Sequence, residues 1–225
     1  MTAVYYALSC VLGYLLGSIS ISILISRHVF HQDVRQSGSG NAGATNVARV
    51  FGLGAGVLTF LGDFAKTLLA AWLGSLLGGV IGSCLGAAFA LIGHCFPVYY
   101  RFRGGKAVSA GAAAALVIDW RIFVLAVAVF ALAALLSKTA SVSSMSAAGM
   151  VAVGTVLFAP STAQLLLGLF IALGHALGQI LLLLGREQLD LADLLEIHAD
   201  RVIQAALAEI VIARKLFLGR SGLQL

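Results

Sequence analysis

The run Ser37-Gly-Ser-Gly-Asn-Ala-Gly-Ala-Thr-Asn-Val-Ala-Arg49 sets Gly38, Gly40 and Gly43 among Ser37, Ser39, Asn41, Thr45 and Asn46. Glycines let consecutive N–H groups converge on an anion, and the neutral side chains add hydrogen-bond donors. Arg49 brings a permanent charge with a planar fork that grips phosphate bidentately. A second stretch, Arg101-Phe-Arg-Gly-Gly-Lys106, repeats the chemistry, with Arg103 beside Gly104 and Gly105 and little steric cover around Lys106. Gly and Ser also suit a plain connector, and basic residues also anchor membrane boundaries. Two such loops in one chain nevertheless point to chemistry on a phosphate. Neither is a Walker loop, because no Gly-Lys-Ser/Thr closes it.

Other polar residues stand inside apolar surroundings. Asp63 and Lys66 are one helical turn apart, a spacing that suits an ion pair as well as a functional site. His94 sits near a helix end, where a histidine is more often a satisfied hydrogen-bonding residue than a catalyst. Ser141 and Ser144 follow Lys138 at a helix start, where capping is the plain reading. His175 lies in the last apolar run and needs a partner there, whether it steers a substrate or joins helices. Cys10, Cys84 and Cys95 lie in apolar runs without metal-ligand spacing and read as small core residues. No metal and no cofactor is implied.

The elements that must position these groups belong to a membrane. Hydrophobic residues make up 60% of the 225 and charged residues 10%, with a mean hydropathy of +1.03. A soluble domain carries roughly 25% charged residues. Apolar runs fall at about 4–26, 53–75, 78–98, 107–119, 122–137, 145–160 and 162–185, several shorter than the ~20 residues a span needs. The first reads as a retained helix rather than a cleaved leader. Seven spans collect Arg27, Arg35, Arg49, Arg101, Arg103, Lys106, Lys138, Arg186 and the tail bases on one side, leaving Arg121 opposite. That bias makes the charged side cytoplasmic and the N-terminus external. It also accounts for the net charge of +5 without nucleic acid. The expected fold is an all-α, seven-transmembrane-helix bundle over 1–187. Residues 188–225, acidic in front and basic behind, are expected to form an interfacial amphipathic helix.

With these motifs in view, the chain resembles the bacterial acyl-phosphate:glycerol-3-phosphate acyltransferases, the polytopic enzymes called PlsY, over about 13–187. Gly38–Arg49 reproduces their GSGNxGATNVxR loop, and Asp63-Phe-Ala-Lys66 their DxxK. Gly93-His94-Cys-Phe-Pro-Val-Tyr-Tyr-Arg-Phe-Arg-Gly-Gly-Lys106 matches GHxFPVFxxFKGGK, and Ser141-Val-Ser-Ser144 matches SLxS. The resemblance implies transfer of a fatty acyl group from acyl phosphate to glycerol 3-phosphate, giving lysophosphatidic acid and phosphate. It implies an active site facing the cytoplasm of a bacterial inner membrane. Ser37, Ser39, Asn41 and Arg49 would bind phosphate, Lys106 and Ser144 would complete the site, and His175 would join Arg49 and Lys106 in catalysis. The HX4D motif of other acyltransferases is missing, since Asp33 follows His28 at one residue too long a spacing.

The chain departs from the pattern in three places, the first being the opening GSIP, which is Gly17-Ser-Ile-Ser20 here. The glycine after the motif lysine is Ala107, and the final RHxxNIxRLLxGxE aligns with Gly174-His175-Ala-Leu-Gly178-Gln-Ile-Leu181 and onward to Gly185 and Glu187. His175 and Glu187 survive, but two arginines and the asparagine are replaced by Gly174, Leu181 and Gly178. Turnover below that of an intact relative is the expectation. Two further classes fit the residues: a non-catalytic paralogue binding phosphorylated ligands or membrane partners, and a transporter of a small phosphate ester.

Overall fold

The computed structural model describes residues 2–177, and every regular element among them is helical. The expected roles of Gly178, Leu181 and Glu187 and the amphipathic tail 188–225 lie outside the described residues. Helix α1 (Thr2–Ser18) is followed by the short α2 (Ile21–His28). The sequence predicts one helix over 4–26; the chain breaks at Ile19–Ser20 instead, where Ser20 caps α2 by accepting from the Ile23 N–H. Next come α3 (Ala44–Phe51), the long α4 (Leu53–Cys95), α5 (Val108–Ile118), α6 (Trp120–Ser137), α7 (Ala140–Phe158) and α8 (Thr162–Leu177). Four helical stretches are long and apolar enough to cross a membrane: 2–28, 53–100, 120–137 and 140–158.

Helix α4 is a hairpin of two arms. Gly78 (φ −139°, ψ 24°) and Gly79 (φ 58°) leave the helical region together, so the backbone reverses there. The positive φ at Gly79 would strain any other residue. Past the break the arms touch backbone to backbone: a Cβ on Gly74 would strike the Gly82 carbonyl, and one on Gly86 would strike Ala70. Helix α1 closes on the second arm in the same way, with Gly13 over Gly86 and Gly17 over Ala90. Small residues permit this approach, which in lipid must supply by contact what water supplies elsewhere.

The interior is correspondingly small-grained. Ala71, Ala87, Ala110, Ala114 and Ala115 form the core with Cys84, Leu91, Ile118, Ile122 and Val151, and Leu167 and Ile171 of α8 pack into it. The bulk faces outward instead: Leu135 and Leu136 are 76% and 77% exposed, and Trp72, Val156 and Leu157 are exposed too. Lipid tails solvate such side chains without penalty, so size rather than polarity decides what goes inside.

Candidate active site

The first glycine-rich loop is built around one side chain. Asn46, 2% exposed, accepts the Ser39 N–H on Oδ1 at 2.9 Å. Its Nδ2 donates to the carbonyls of Val34 at 3.0 Å and Ser37 at 2.9 Å. Gly38 (φ 63°) and Gly40 (φ 70°) supply the left-handed turns that bring those groups to it. Asn46 is therefore the clamp of the loop rather than an open donor. Helix α3 starts at Ala44, capped by Gly43 without a side-chain bond. The N–H groups of Ala44 and Thr45 make no backbone hydrogen bond and stay available to an anion. Ser39 and Thr45 are exposed, Ser37 and Asn41 half-buried, and exposed Arg49 makes no hydrogen bond or ion pair among the described residues.

Arg35, passed over in the sequence, joins this loop to the second one. Its guanidinium is held by Asp33 at 2.7 Å and donates Nη1–H to the Tyr100 carbonyl at 3.2 Å. Hydrogen bonds from Arg35, then Arg27, hold the Asp33 carboxyl well below the usual carboxylate range. A carboxyl lowered in this way stabilises the fold above its unfolded pKa, and that contribution is lost as pH falls through the lower folded value. The i, i+2 spacing of Asp33 and Arg35 was the available signal. An open cleft of about 470 Å³, lined by Arg27, His31, Gln32, Asp33, Gln36 and Ser37, reaches the loop from this side.

The second loop folds back on the end of α4. Gly104 donates its N–H to the Cys95 carbonyl and Gly105 to the His94 carbonyl, each at 3.1 Å. Tyr14 Oη donates to the Phe96 carbonyl at 2.9 Å, tying the turn to α1. A Cβ on Gly105 would meet the His94 ring on one side and the Ala42 carbonyl at 2.6 Å on the other. The two glycine-rich loops thus meet at Gly105. Lys106 follows at once, and its main chain and charge both act on the half-buried imidazole of His175 from α8. The Nε2 of His175 is buried without a hydrogen-bond partner. Arg103 is exposed and Arg101 and Phe102 take left-handed conformations.

Behind this seam lies a charged cluster. Lys66 Nζ stands 2.7 Å from Asp63 Oδ1, though not aligned as a hydrogen bond, and donates to the Ile19 carbonyl at 2.6 Å. It also reaches His94 Nδ1 at 3.1 Å, while His94 Nδ1 is 3.5 Å from Asp63. The expected pair is present, with His94 as a third member that spacing alone could not reveal. The serines of α7 differ from expectation. Helix α7 begins at Ala140, and Ser143 and Ser144 do not cap it; their hydroxyls return to the carbonyls of Thr139 and Ser141 at 2.8 and 3.0 Å. Ser141 is exposed and Ser144 buried within the first turns.

The family model described as glycerol-3-phosphate acyltransferase matches residues 7–184, most of the chain. The chain belongs to the glycerol-3-phosphate acyltransferase family. It is 40% identical over 173 residues to a glycerol-3-phosphate acyltransferase of Geobacillus kaustophilus, covering 75% of this chain and 88% of that one. Identity is 46% over 142 residues to that of Pseudomonas paraeruginosa, covering 61% and 74%. In three dimensions it is similar to the integral membrane glycerol 3-phosphate acyltransferase PlsY, solved in a glycerol 3-phosphate form. That match has a TM-score of 0.73 and 26% identity, and covers 80% of this chain and 93% of that one. The form of PlsY with lysophosphatidic acid matches at a TM-score of 0.67 and 27% identity, with the same coverage.

One departure from the acyltransferase motif has a visible backbone consequence. Ala107, where the motif has glycine, is 8% exposed and sits in the left-handed region at φ 55° and ψ 27°. That conformation costs a residue with a Cβ about 1–2 kcal/mol, against the smaller entropy cost of an added glycine. Ala107→Gly is expected to stabilise the protein by about 0.5–1 kcal/mol, read as a higher Tm in detergent. A lower Tm would show that the methyl group's packing outweighs the strain.

Proposed function

We infer that this chain transfers a fatty acyl group from acyl phosphate to glycerol 3-phosphate, releasing lysophosphatidic acid and inorganic phosphate. The meeting of the two glycine-rich loops at Gly105 carries the reading, since both substrates bring a phosphate and the seam offers donors from each side. Ser37, Gly38, Ser39 and Asn41, with the free N–H groups of α3 and the charge of Arg49, take one phosphate, and Asn46 keeps the loop in shape. Lys106, carried by Gly104 and Gly105, faces the other beside His175, with Ser141 and Ser144 completing that wall.

No serine or cysteine among these residues is paired with a base as a nucleophile would be. The glycerol hydroxyl attacks the acyl carbon directly. The new C–O ester bond forms as the acyl–phosphate C–O bond breaks, and the hydroxyl proton passes to the departing phosphate. Lys106 and the loop donors stabilise the oxyanion on the way. The reaction runs at the cytoplasmic face of a bacterial inner membrane, in a seven-span bundle with the N-terminus outside. The Lys/Arg bias and the division of α4 into two arms at Gly78–Gly79 support this arrangement.

The deciding assay takes purified protein, palmitoyl phosphate and labelled glycerol 3-phosphate, and scores lysophosphatidic acid. Palmitoyl-CoA serves as the competing donor. Product from palmitoyl phosphate alone is expected; product only from the CoA ester would move the donor to another class. Uptake of glycerol 3-phosphate into proteoliposomes without product would favour transport.

The altered final motif sets an expectation of its own. Glycine at 178 has no side chain to orient an acceptor, so turnover should lie well below that of a relative with an intact motif. At Gly174 a Cβ would meet no atom within 4 Å among the described residues, so the backbone there accepts a side chain. Gly174→Arg, Gly178→Asn and Leu181→Arg together are expected to raise turnover. A wild type that already matches the intact relative would remove the argument. A folded wild type and triple variant that both stay silent would favour the non-catalytic reading.

A further inference from the structure

Asp63, Lys66 and His94 are buried, and the reaction as written uses none of them. Their geometry is directional. Lys66 Nζ lies 3.1 Å from His94 Nδ1, closer than Asp63 Oδ1 at 3.5 Å. An ammonium has donors only, so with Lys66 charged this nitrogen accepts and the ring proton sits on Nε2. The Nε2 edge is the one that flanks Gly105, where the Ala42 carbonyl also approaches. The His94 main chain acts on the same residue, because its carbonyl accepts the Gly105 N–H at 3.1 Å. Lys66 is itself anchored twice: by Asp63 one turn below, and by the Ile19 carbonyl, which the break between α1 and α2 leaves free of a helical partner. A single chain of contacts therefore runs from α1 through the first arm of α4 to its second arm, and ends at the residue before Lys106.

A buried ion pair is a poor device for stability alone, since a well-packed apolar pair commonly serves as well or better. It does fix a direction, because its partners have defined donors and acceptors. We propose that Asp63, Lys66 and His94 are positioning residues that hold the Gly104–Gly105–Lys106 loop in register with the Ser37–Asn46 loop. On this view they set turnover without touching substrate. The reactive groups of the two loops must be aligned to within about an ångström, and a misplacement of that size costs up to roughly 100-fold in rate.

The proposal rests on the acyl-transfer reading, and its test separates the two. Two variants are compared with wild type: the double Asp63→Leu/Lys66→Met, which replaces the pair by apolar groups, and His94→Asn. The latter keeps an acceptor for Lys66 but withdraws the ring edge from Gly105. Folding is followed by size exclusion and thermal unfolding, and kinetics are measured with palmitoyl phosphate and glycerol 3-phosphate. Amide exchange is followed over 103–107. Folded variants with kcat lowered about 10- to 100-fold, an unchanged KM for glycerol 3-phosphate and faster exchange at Gly104 and Gly105 are expected.

Wild-type kcat or unaltered exchange in a folded variant overturns the proposal, as does a rise in KM at constant kcat, which marks a binding role. Failure of both variants to fold also overturns it, in favour of a structural role; where one folds, its readings decide. A silent wild type counts against acyl transfer, and the exchange measurement then still decides the role of the cluster.

Discussion

Replacing Arg49 or Lys106 by alanine should remove about one to two decades of catalytic efficiency. Each substitution deletes one charge-assisted contact to a phosphate, worth about 1.5–3 kcal/mol. The two residues come from different elements, Arg49 from the last turn of α3 and Lys106 from the second glycine-rich loop, and the proposed reaction has them act on one site. Arg49 offers the cleaner measurement. It is exposed and makes no hydrogen bond or ion pair among the described residues, so its loss should leave the Tm in detergent where it was. Lys106 borders His175, and its substitution also changes the charge around that ring. Lys106→Arg should recover only part of the rate, because a planar, forked guanidinium does not place its charge as a compact ammonium does. Unchanged kinetics toward both glycerol 3-phosphate and acyl phosphate in the alanine variants would remove these residues from the site.

A larger effect on the protein itself is expected from Asn46→Asp. The exchange preserves size and the acceptor that holds the Ser39 N–H, but it turns the donor into an oxygen. That oxygen would face the carbonyls of Val34 and Ser37, 3.0 and 2.9 Å away. Each carbonyl keeps one backbone donor, the Ser37 N–H on Val34 and the Gly40 N–H on Ser37, but loses its second and faces a buried charge. A neutral unsatisfied group costs about 1–3 kcal/mol and a charged one more, so the loss is on the order of 3 kcal/mol or more. For a domain of this size that lowers Tm by roughly 6–12 °C. Glycerol 3-phosphate binding should fall with it, since Gly38 and Gly40 hold their turns through this side chain. Asn46→Asp with wild-type Tm and wild-type binding would show that the clamp is dispensable.

The two loops could be read from composition because their chemistry is local: glycines, hydroxyls and bases lie within a few residues of each other. Asn46 shows the limit of that reading. As a residue type it belongs equally to a donor in the site and to a clamp beneath it, and only the turns at Gly38 and Gly40 decide between them. The Asp63–Lys66 pair follows from helical periodicity, whereas His94 arrives from the other arm of the hairpin, 28 residues along the chain. Nothing periodic announces such a contact. The break after Ser18 was within reach: Ser18 and Ser20 interrupt an apolar run, and Ser20 does cap the next helix. The early start of α7 was not, because Ala140–Ser144 is polar enough to pass for a loop while its serines satisfy themselves on the turn behind. Arg35 could be counted as a base and its spacing from Asp33 hinted at a pair, but its bond to the Tyr100 carbonyl is to main chain and leaves no trace in the pattern of side chains.

The reversal at Gly78–Gly79 also bears on how the chain enters a bilayer during its synthesis. Between Lys66 and Arg101 no residue is Asp, Glu, Lys or Arg, so the tip of the hairpin carries no formal charge. Both arms can therefore be delivered from the same side as one closed unit, with their backbones already in contact at Gly74 and Gly82. No ion has to be carried across with the tip. Asp63 and Lys66, halfway along the first arm, enter as a pair, where a lone ion would cost about 2.5–3.5 kcal/mol by insertion scales. Arg49 and the bases from Arg101 onward stay at the open end of the hairpin, on the side from which it was threaded. The route of entry thus leaves the two glycine-rich loops at the same end before any of the later helices exists.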